Sequence, residues 1–328
     1  MRKIKTNVEE QPDKTQTAFN VRPVNLTDYI GQKKIKENLK ISIAAAKLRK
    51  APLDHFLFSG PPGLGKTSLA MVIAGEMEAK IRTVNAPVIE KTKDMASILA
   101  TLEDGDILFI DEIHRLPKNV EEMLYSAMED RKIEIIIGEA EQSKVITMPL
   151  AAFTLIGATT REGLLSKPLL DRFPNKYSFD YYSDAELGRI AFMTATKYNT
   201  PVSEHVSLLI GKASRGTPRV AVNITKRISD YMVANDTEQM SESEFYEVLS
   251  IIGISKEGFS EREIKYIDIL RSTYEKTQKP VGLKTIAAFM GETTDTIEET
   301  IEPYLLQKKL IARTATGRIP LVTKNKKE

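Results

Sequence analysis

Residues 60–67 read GPPGLGKT and fit the phosphate-loop pattern G-x-x-x-x-G-K-[ST]. The pattern has meaning only in one local context. A buried strand must run into the loop, and a helix must leave it. Both are legible here. HFLFS at 55–59 is a short apolar run that stops at glycine and proline, and residues 66–79 continue as a helix. Gly63 and Gly65 let the backbone turn its N–H groups inward, and the helix that follows aims its positive end at the same point. Lys66 supplies a point charge for terminal phosphates, with Thr67 as a metal ligand and Ser68 beside it. The alternative, a purely structural glycine loop, has no use for the lysine.

The surrounding sequence alternates in the same way. A helix at 32–50 carries Ile35, Leu39, Ile43 and Ala46 at helical spacing, and Pro52 is expected to end it. A strand at 81–85, a helix at 91–103, a strand at 106–111 (DILFID), a helix at 119–129 and a strand at 153–159 (FTLIGAT) follow. Strands alternating with helices predict an α/β domain whose parallel sheet is covered on both faces. Residues 132–138 and 144–148 break the pattern. They are β-rich and flank the polar turn 139–143, which predicts a hairpin leaving the body. After residue 182 the reading turns all-helical, with helices at 183–198, 203–214, 218–234 and 241–251, the first opened by a Ser183/Glu186 capping box. From 255 onward, helices at 261–276, 283–290 and 293–304 precede two short strands around 314–317, as in a winged helix. The expected units are 1–182, with 1–18 a mobile arm, then 183–254 and 255–328. Apolar material suffices for one large core and a smaller one.

Composition removes other classes. Cys is 0, so thiolate zinc sites and disulfides are excluded; His55, His114 and His205 lie far apart and read as structural. No run approaches the roughly 20 apolar residues of a membrane span, and no signal peptide opens the chain, so a cytosolic protein is expected. Net charge is only +2, yet 307–328 holds seven basic residues (Lys308, Lys309, Arg313, Arg318, Lys324, Lys326, Lys327) against Glu328 alone. Such an excess can pair with phosphates. For Lys324 to Lys327 a solvated tail is the reading preferred.

Three further segments answer the phosphate loop. LFIDE at 108–112 ends an apolar strand in two acids: Asp111 to hold Mg²⁺ and Glu112 to orient and deprotonate a water. The strand ending at Thr159 offers a hydroxyl to sense the γ-phosphate; a simple strand cap is the alternative. Arg172, at the end of a helix, reads as an arginine finger reaching a neighbouring subunit, or else as a surface arginine complementing the helix dipole. Arg219 opens a helix, where a cation is unfavourable without an anionic partner; a nucleotide is the candidate.

Together these motifs resemble the AAA+ ATPases. Within them the likeness is to the bacterial motors that drive branch migration at Holliday junctions. It is carried by Arg22-Pro23, Tyr29 to Gln32, LFIDEIHRL (108–116), YSAMED (125–130), LIGATTR (155–161), RGTPR (215–219) and, near the end, by 280–283, 296–305 and 313–318. The resemblance implies a AAA+ P-loop domain, a small helical lid and a C-terminal winged-helix head on DNA. It also implies ATP with Mg²⁺, a homo-hexameric ring on double-stranded DNA, a junction-binding partner of the RuvA kind docked on the 132–148 hairpin, and a junction resolvase as a further partner. Val21, Arg22, Tyr182 and the segment Glu129, Asp130, Arg131 are implied at the nucleotide, and Arg313 and Arg318 at DNA phosphates. Two positions depart from the family: Leu170 and Thr316 stand where arginines are usual. Two other readings stay open: a AAA+ protein remodeller, and a DNA-binding switch for which ATP turnover is incidental. The winged head argues against the first, Glu112 and Arg172 against the second.

Overall fold

The structure, a computed structural model, describes residues 22–137 and 144–321. The N-terminal arm with Val21, the hairpin turn and Lys324 to Lys327 lie outside them.

The first unit is built on a five-stranded parallel sheet. Its strands are β1 (Phe56–Ser59), β2 (Ile81–Asn85), β3 (Ile107–Asp111), β6 (Thr154–Thr159) and β7 (Asn175–Ser178), in the order β2-β3-β6-β1-β7. The three central strands are apolar and buried along nearly their whole length, as a sheet covered on both faces requires. One face packs on α1 (Lys33–Arg49) and α2 (Lys66–Met77). The other packs on α3 (Thr92–Leu99), α4 (Lys118–Glu129) and α5 (Lys167–Asp171). The four residues expected to face the core from α1 are all buried. Pro52 is not its stop. Lys50 takes the left-handed conformation (φ 51°), and its N–H closes on the carbonyls of Ala46 and Lys47.

β7 was not foreseen. As an edge strand it is buried only on alternate residues and shows no apolar run. What fixes it is Tyr177, which stacks on Phe56 and Phe58 of β1. The hairpin β4 (Lys132–Ile137) and β5 (Lys144–Pro149) forms a separate antiparallel sheet, rooted through Ile133 in the second core.

Four helices form the lid: α6 (Asp184–Lys197), α7 (Glu204–Ala213), α8 (Pro218–Ala234) and α9 (Glu242–Ile251). The Ser183/Glu186 capping box is made. The head holds α10 (Glu261–Thr277) and α11 (Leu283–Met290), then α12, which is continuous through Thr294–Thr296, a π-turn at Ile297–Ile301 and Glu302–Gln307. The wing, β8 (Ile311–Thr314) with β9 (Gly317–Pro320), completes it, and Val281 bridges to Arg318 as a third strand position. The described residues carry four apolar clusters, two flanking the sheet and one each in lid and head, where the sequence suggested two.

The wing is fastened by a buried acid. Glu302 is fully buried and accepts hydrogen bonds from Tyr266 (2.7 Å), Arg318 (2.8 Å) and Arg313 (2.7 Å), while Arg318 also reaches Glu298 at 2.7 Å. Burial pushes the Glu302 carboxyl up, but the bonds from Arg318, Tyr266 and Arg313 outweigh it and hold the group below its ordinary value. Glu302→Gln leaves Arg318 without its main counter-charge, and the head should lose about 3 kcal/mol of stability. A depressed carboxylate contributes stability that is present above the ordinary glutamate pKa and lost as pH falls through its folded value. Thermal unfolding scans should therefore show the variant melting lower at neutral pH, with its deficit shrinking in acid.

Candidate nucleotide and γ-phosphate site

β3, β6 and β1 lie side by side with their carboxyl ends level, Ser59 in register with Thr159. The segments leaving those ends are the phosphate loop, Asp111-Glu112 and Thr160-Arg161. They meet one cleft of about 760 Å³, closed from the far side by lid residues Pro218, Arg219 and Asn223.

The loop is held open by glycines whose backbones no other residue fits well. Gly65 has φ 93°, and a Cβ there would lie 2.7 Å from the Tyr29 hydroxyl. Gly63 has φ 82° and faces the Cβ of Arg219, whose N–H donates to the Gly63 carbonyl at 3.3 Å. Lys66 is only 7% exposed, and its ammonium donates to the carbonyls of Gly60 (2.6 Å) and Pro61 (2.9 Å). Burial pulls its pKa down, while Glu112 and Asp111 pull it up. A desolvated ammonium held by carbonyls at a helix N-terminus is suited to phosphate oxygens.

Two buried tyrosines brace the loop from below. The Tyr182 hydroxyl lies 3.2 Å from both the Leu64 carbonyl, to which it donates, and the Tyr29 hydroxyl; burial pushes its own pKa up to about 12. Arg22 lines the same end of the cleft, and one of its guanidinium nitrogens lies 2.7 Å from the Met71 sulfur. Thr67 and Asp111 both face the cleft. A hydroxyl and a carboxylate, with phosphate oxygens and water for the remaining positions, form a donor set that fits Mg²⁺. Burial raises the Asp111 pKa.

The hydroxyl beside Glu112 is not the expected one. Thr159 is fully buried; its Oγ1 accepts the Arg161 N–H (3.0 Å) and pairs with His114 Nδ1 (2.9 Å), and it does not line the cleft. Strand alternation turns its side chain inward and sets the next residue at the cleft. Thr160 lines the cleft and donates to Glu112 Oε2 at 3.1 Å. His114 Nδ1 lies 3.2 Å from the same oxygen, so this histidine belongs to the site. Burial holds its pKa below the ordinary value, which favours the neutral ring near pH 7. His55, by contrast, accepts the Leu155 N–H between strands.

Arg172 does not reach its own cleft. It lies over the Tyr125 ring (4.7 Å), donates to Pro168 and Tyr125 carbonyls, and pairs with Glu129 at 2.8 Å. Glu129, Asp130 and Arg131 are likewise absent from the cleft lining. Leu170, at one of the two departures, packs on the second core.

Three family models match the chain: the RuvB P-loop domain of the Holliday junction DNA helicase over 21–179, the RuvB AAA lid domain over 182–255 and the RuvB C-terminal winged helix domain over 256–325. The chain belongs to the RuvB family. A Holliday junction branch migration complex subunit RuvB from Campylobacter jejuni is 50% identical over 300 residues, covering 92% of this chain and 89% of the relative. Its namesake from Campylobacter hominis is 47% identical over 312 residues, covering 95% and 91%. The solved Thermotoga maritima RuvB Holliday junction branch migration motor superposes with a TM-score of 0.81 at 42% identity, covering 92% of this chain and 95% of that one. As a RuvB-family P-loop protein, the chain binds nucleotide and is an ATPase.

The two threonines are separable. Thr160→Val should lower the maximal ATPase rate by about 10- to 100-fold with nucleotide affinity kept, since it removes a donor beside the attacking water. Thr159→Val should mainly cost about 1–3 kcal/mol of stability, because it strands buried polar partners. Steady-state kinetics beside thermal melting would distinguish them, and the reverse pattern would return the sensing role to Thr159.

Proposed function

We propose that this chain is an ATP-driven motor that moves duplex DNA through a ring and so drives branch migration of Holliday junctions in the cytoplasm. The observation that carries the reading is the position of Arg172. Arg172 and the Glu129–Arg131 segment sit outside the cleft of their own subunit, which supports a role at a neighbour's nucleotide. Active sites shared in this way call for head-to-tail assembly, which closes into a ring when the rotation per subunit allows, and the family resemblance points to six subunits.

Within each site Lys66 and the loop amides bind the β- and γ-phosphates. Thr67 and Asp111 would hold Mg²⁺, which would supply positive charge against the phosphates. Glu112 orients the attacking water and accepts its proton, and Thr160 fixes the Glu112 carboxylate. Arg172 of the neighbouring copy stabilises the charge that spreads over the transferring phosphoryl group. Arg219 brings the lid to the same phosphates, so closure over nucleotide moves the domain that carries the head.

At the DNA, Arg313 is the phosphate contact. Its side chain is 43% exposed, whereas that of Arg318 is 11% exposed and held by two glutamates. The basic excess of the C-terminal segment is therefore smaller than its sequence suggests, because α12 supplies Glu298 and Glu302 against it. The β4–β5 hairpin is the docking surface for a RuvA-like partner. It leaves the main sheet and exposes the apolar side chains of Val145 and Ile146.

ATP hydrolysis with and without duplex DNA tests the motor. Duplex should stimulate turnover. Arg172→Ala should bind ATP yet hydrolyse it about 10³-fold more slowly, and an equimolar mixture with the parent should fall below half activity. No stimulation, with normal turnover by the variant, would overturn the reading. Arg313→Ala should weaken duplex binding and reduce the salt slope by about one. Arg318→Ala should instead lower the melting temperature of the head.

A further inference from the structure

The RGTPR turn has two cationic ends, and only Arg219 belongs to the nucleotide site. Arg215, at the other end, turns away from the cleft into the joint between lid and head. It takes a left-handed backbone (φ 58°), as does Gly216 (φ 71°). Its guanidinium pairs with Glu263 of α10, whose side chain is 1% exposed, and lies 5.2 Å over the ring of Tyr304 in α12. Glu263 is engaged from a second side, accepting the N–H and hydroxyl of Ser260 at 2.8 Å each. Burial pushes its pKa up and Arg215 pulls it back. Gly258 closes on the backbone of Ala213, and Gly216 on Tyr181 and Gln307. A carboxylate this buried keeps its charge only while the arginine stays in place.

The opposite side of the same turn is tied to the nucleotide site. The Gly216 carbonyl accepts the Tyr182 N–H at 2.9 Å, and Tyr182 braces Leu64 of the phosphate loop. Three residues on, the Arg219 N–H donates to the Gly63 carbonyl. Five residues thus span from the phosphate loop to the first and third helices of the head.

Among the described residues the head has one other ion pair to the body, Arg161 with Glu299, and it differs in kind. Both side chains are substantially exposed. Such a pair is screened and contributes little. It can break without stranding a buried charge, whereas the Arg215 pair cannot.

We infer that Arg215 is a positioning residue that makes lid and head one mechanical body, so that nucleotide-driven lid movement reaches DNA through the Arg215–Glu263 joint, while the Arg161–Glu299 contact is free to open. The inference rests on the motor reading for its consequence on DNA, but the rigid joint itself does not.

Two measurements separate these. The chain has no cysteine, so Lys226→Cys on α8 and Lys276→Cys on α10, both exposed, can carry spin labels alone. The interlabel distance should be narrow and unchanged by a non-hydrolysable ATP analogue. Adding Arg215→Ala, or the gentler Glu263→Gln in case the first variant folds poorly, should broaden it. Disrupting the outer contact with Arg161→Ala should leave it narrow. A distribution as narrow in both joint variants as in the parent would overturn the inference. In parallel, Arg215→Ala should keep ATP affinity and basal hydrolysis within about twofold but lower branch migration per ATP consumed at least fivefold, with Arg215→Lys recovering part of it. Equal loss of basal hydrolysis and migration would mean that Arg215 acts on the nucleotide site, and would also overturn it. Should the parent show no DNA stimulation, the motor reading fails and the label distances still decide the joint.

Discussion

Everything in the nucleotide site depends on three parallel strands ending at the same level. β3, β6 and β1 are adjacent, buried on both faces and locked in register by their ladder, with Ser59 opposite Thr159 and Ile110 opposite Gly157. Parallel strands all point their carboxyl ends one way, so the phosphate loop, the Asp111-Glu112 pair and the Thr160 hydroxyl emerge on one edge without any loop having to find another. A one-residue slip of β6 would turn Thr160 away from the cleft and set Thr159 or Arg161 in its place beside Glu112. The catalytic geometry is thus a by-product of core packing, held by Phe56, Phe109 and Ile156.

Lys66 shows why that rigidity matters. A lysine this buried is unfavourable by itself, and its pKa is drawn down accordingly. It is tolerated because the Gly60 and Pro61 carbonyls and the nearby acids offset part of the cost, and a phosphate would offset more. The Tyr29–Tyr182 pair under the loop holds a different part of it, the Leu64 carbonyl. Tyr182 also takes its backbone bond from Gly216, so the same residue supports the loop and marks the start of the lid.

Much of this was legible in the chain, and the misses share a cause. Buried strands, helical periodicity and the glycine loop are local signals, and β1, β3, β6, α8 and α11 lie where the sequence puts them. β7 and the inward turn of Thr159 are not local. The first is an edge strand fixed by its ladder with β1 and by Tyr177 stacking on that neighbour, and the second depends on which face of β6 meets the core. His114 looked structural because its partners, Thr159 and Glu112, come together only when β3 and β6 pair. Arg318 looked like a DNA contact because the acids that hold it, Glu298 and Glu302, lie 16 to 20 residues upstream on another element. A charge count along the chain cannot see that, and a burial estimate for Glu302 would have required the fold.

Charge burial also separates the parts of the molecule that should move from those that should not. Glu302 in the head and Glu263 at the lid–head joint are buried acids with arginine partners, and opening either would leave a charge in a poor dielectric. Arg161–Glu299 and Arg172–Glu129 are exposed on at least one side, and either can exchange its partner for water or for another anion at little cost. The motor proposed above requires this of Arg172, since a finger held by Glu129 has to release it before it can meet a phosphate on a neighbouring copy. A machine that cycles needs contacts of both kinds, and here they are sorted by depth. The buried pairs define the bodies, and the exposed pairs lie on the surfaces along which those bodies part.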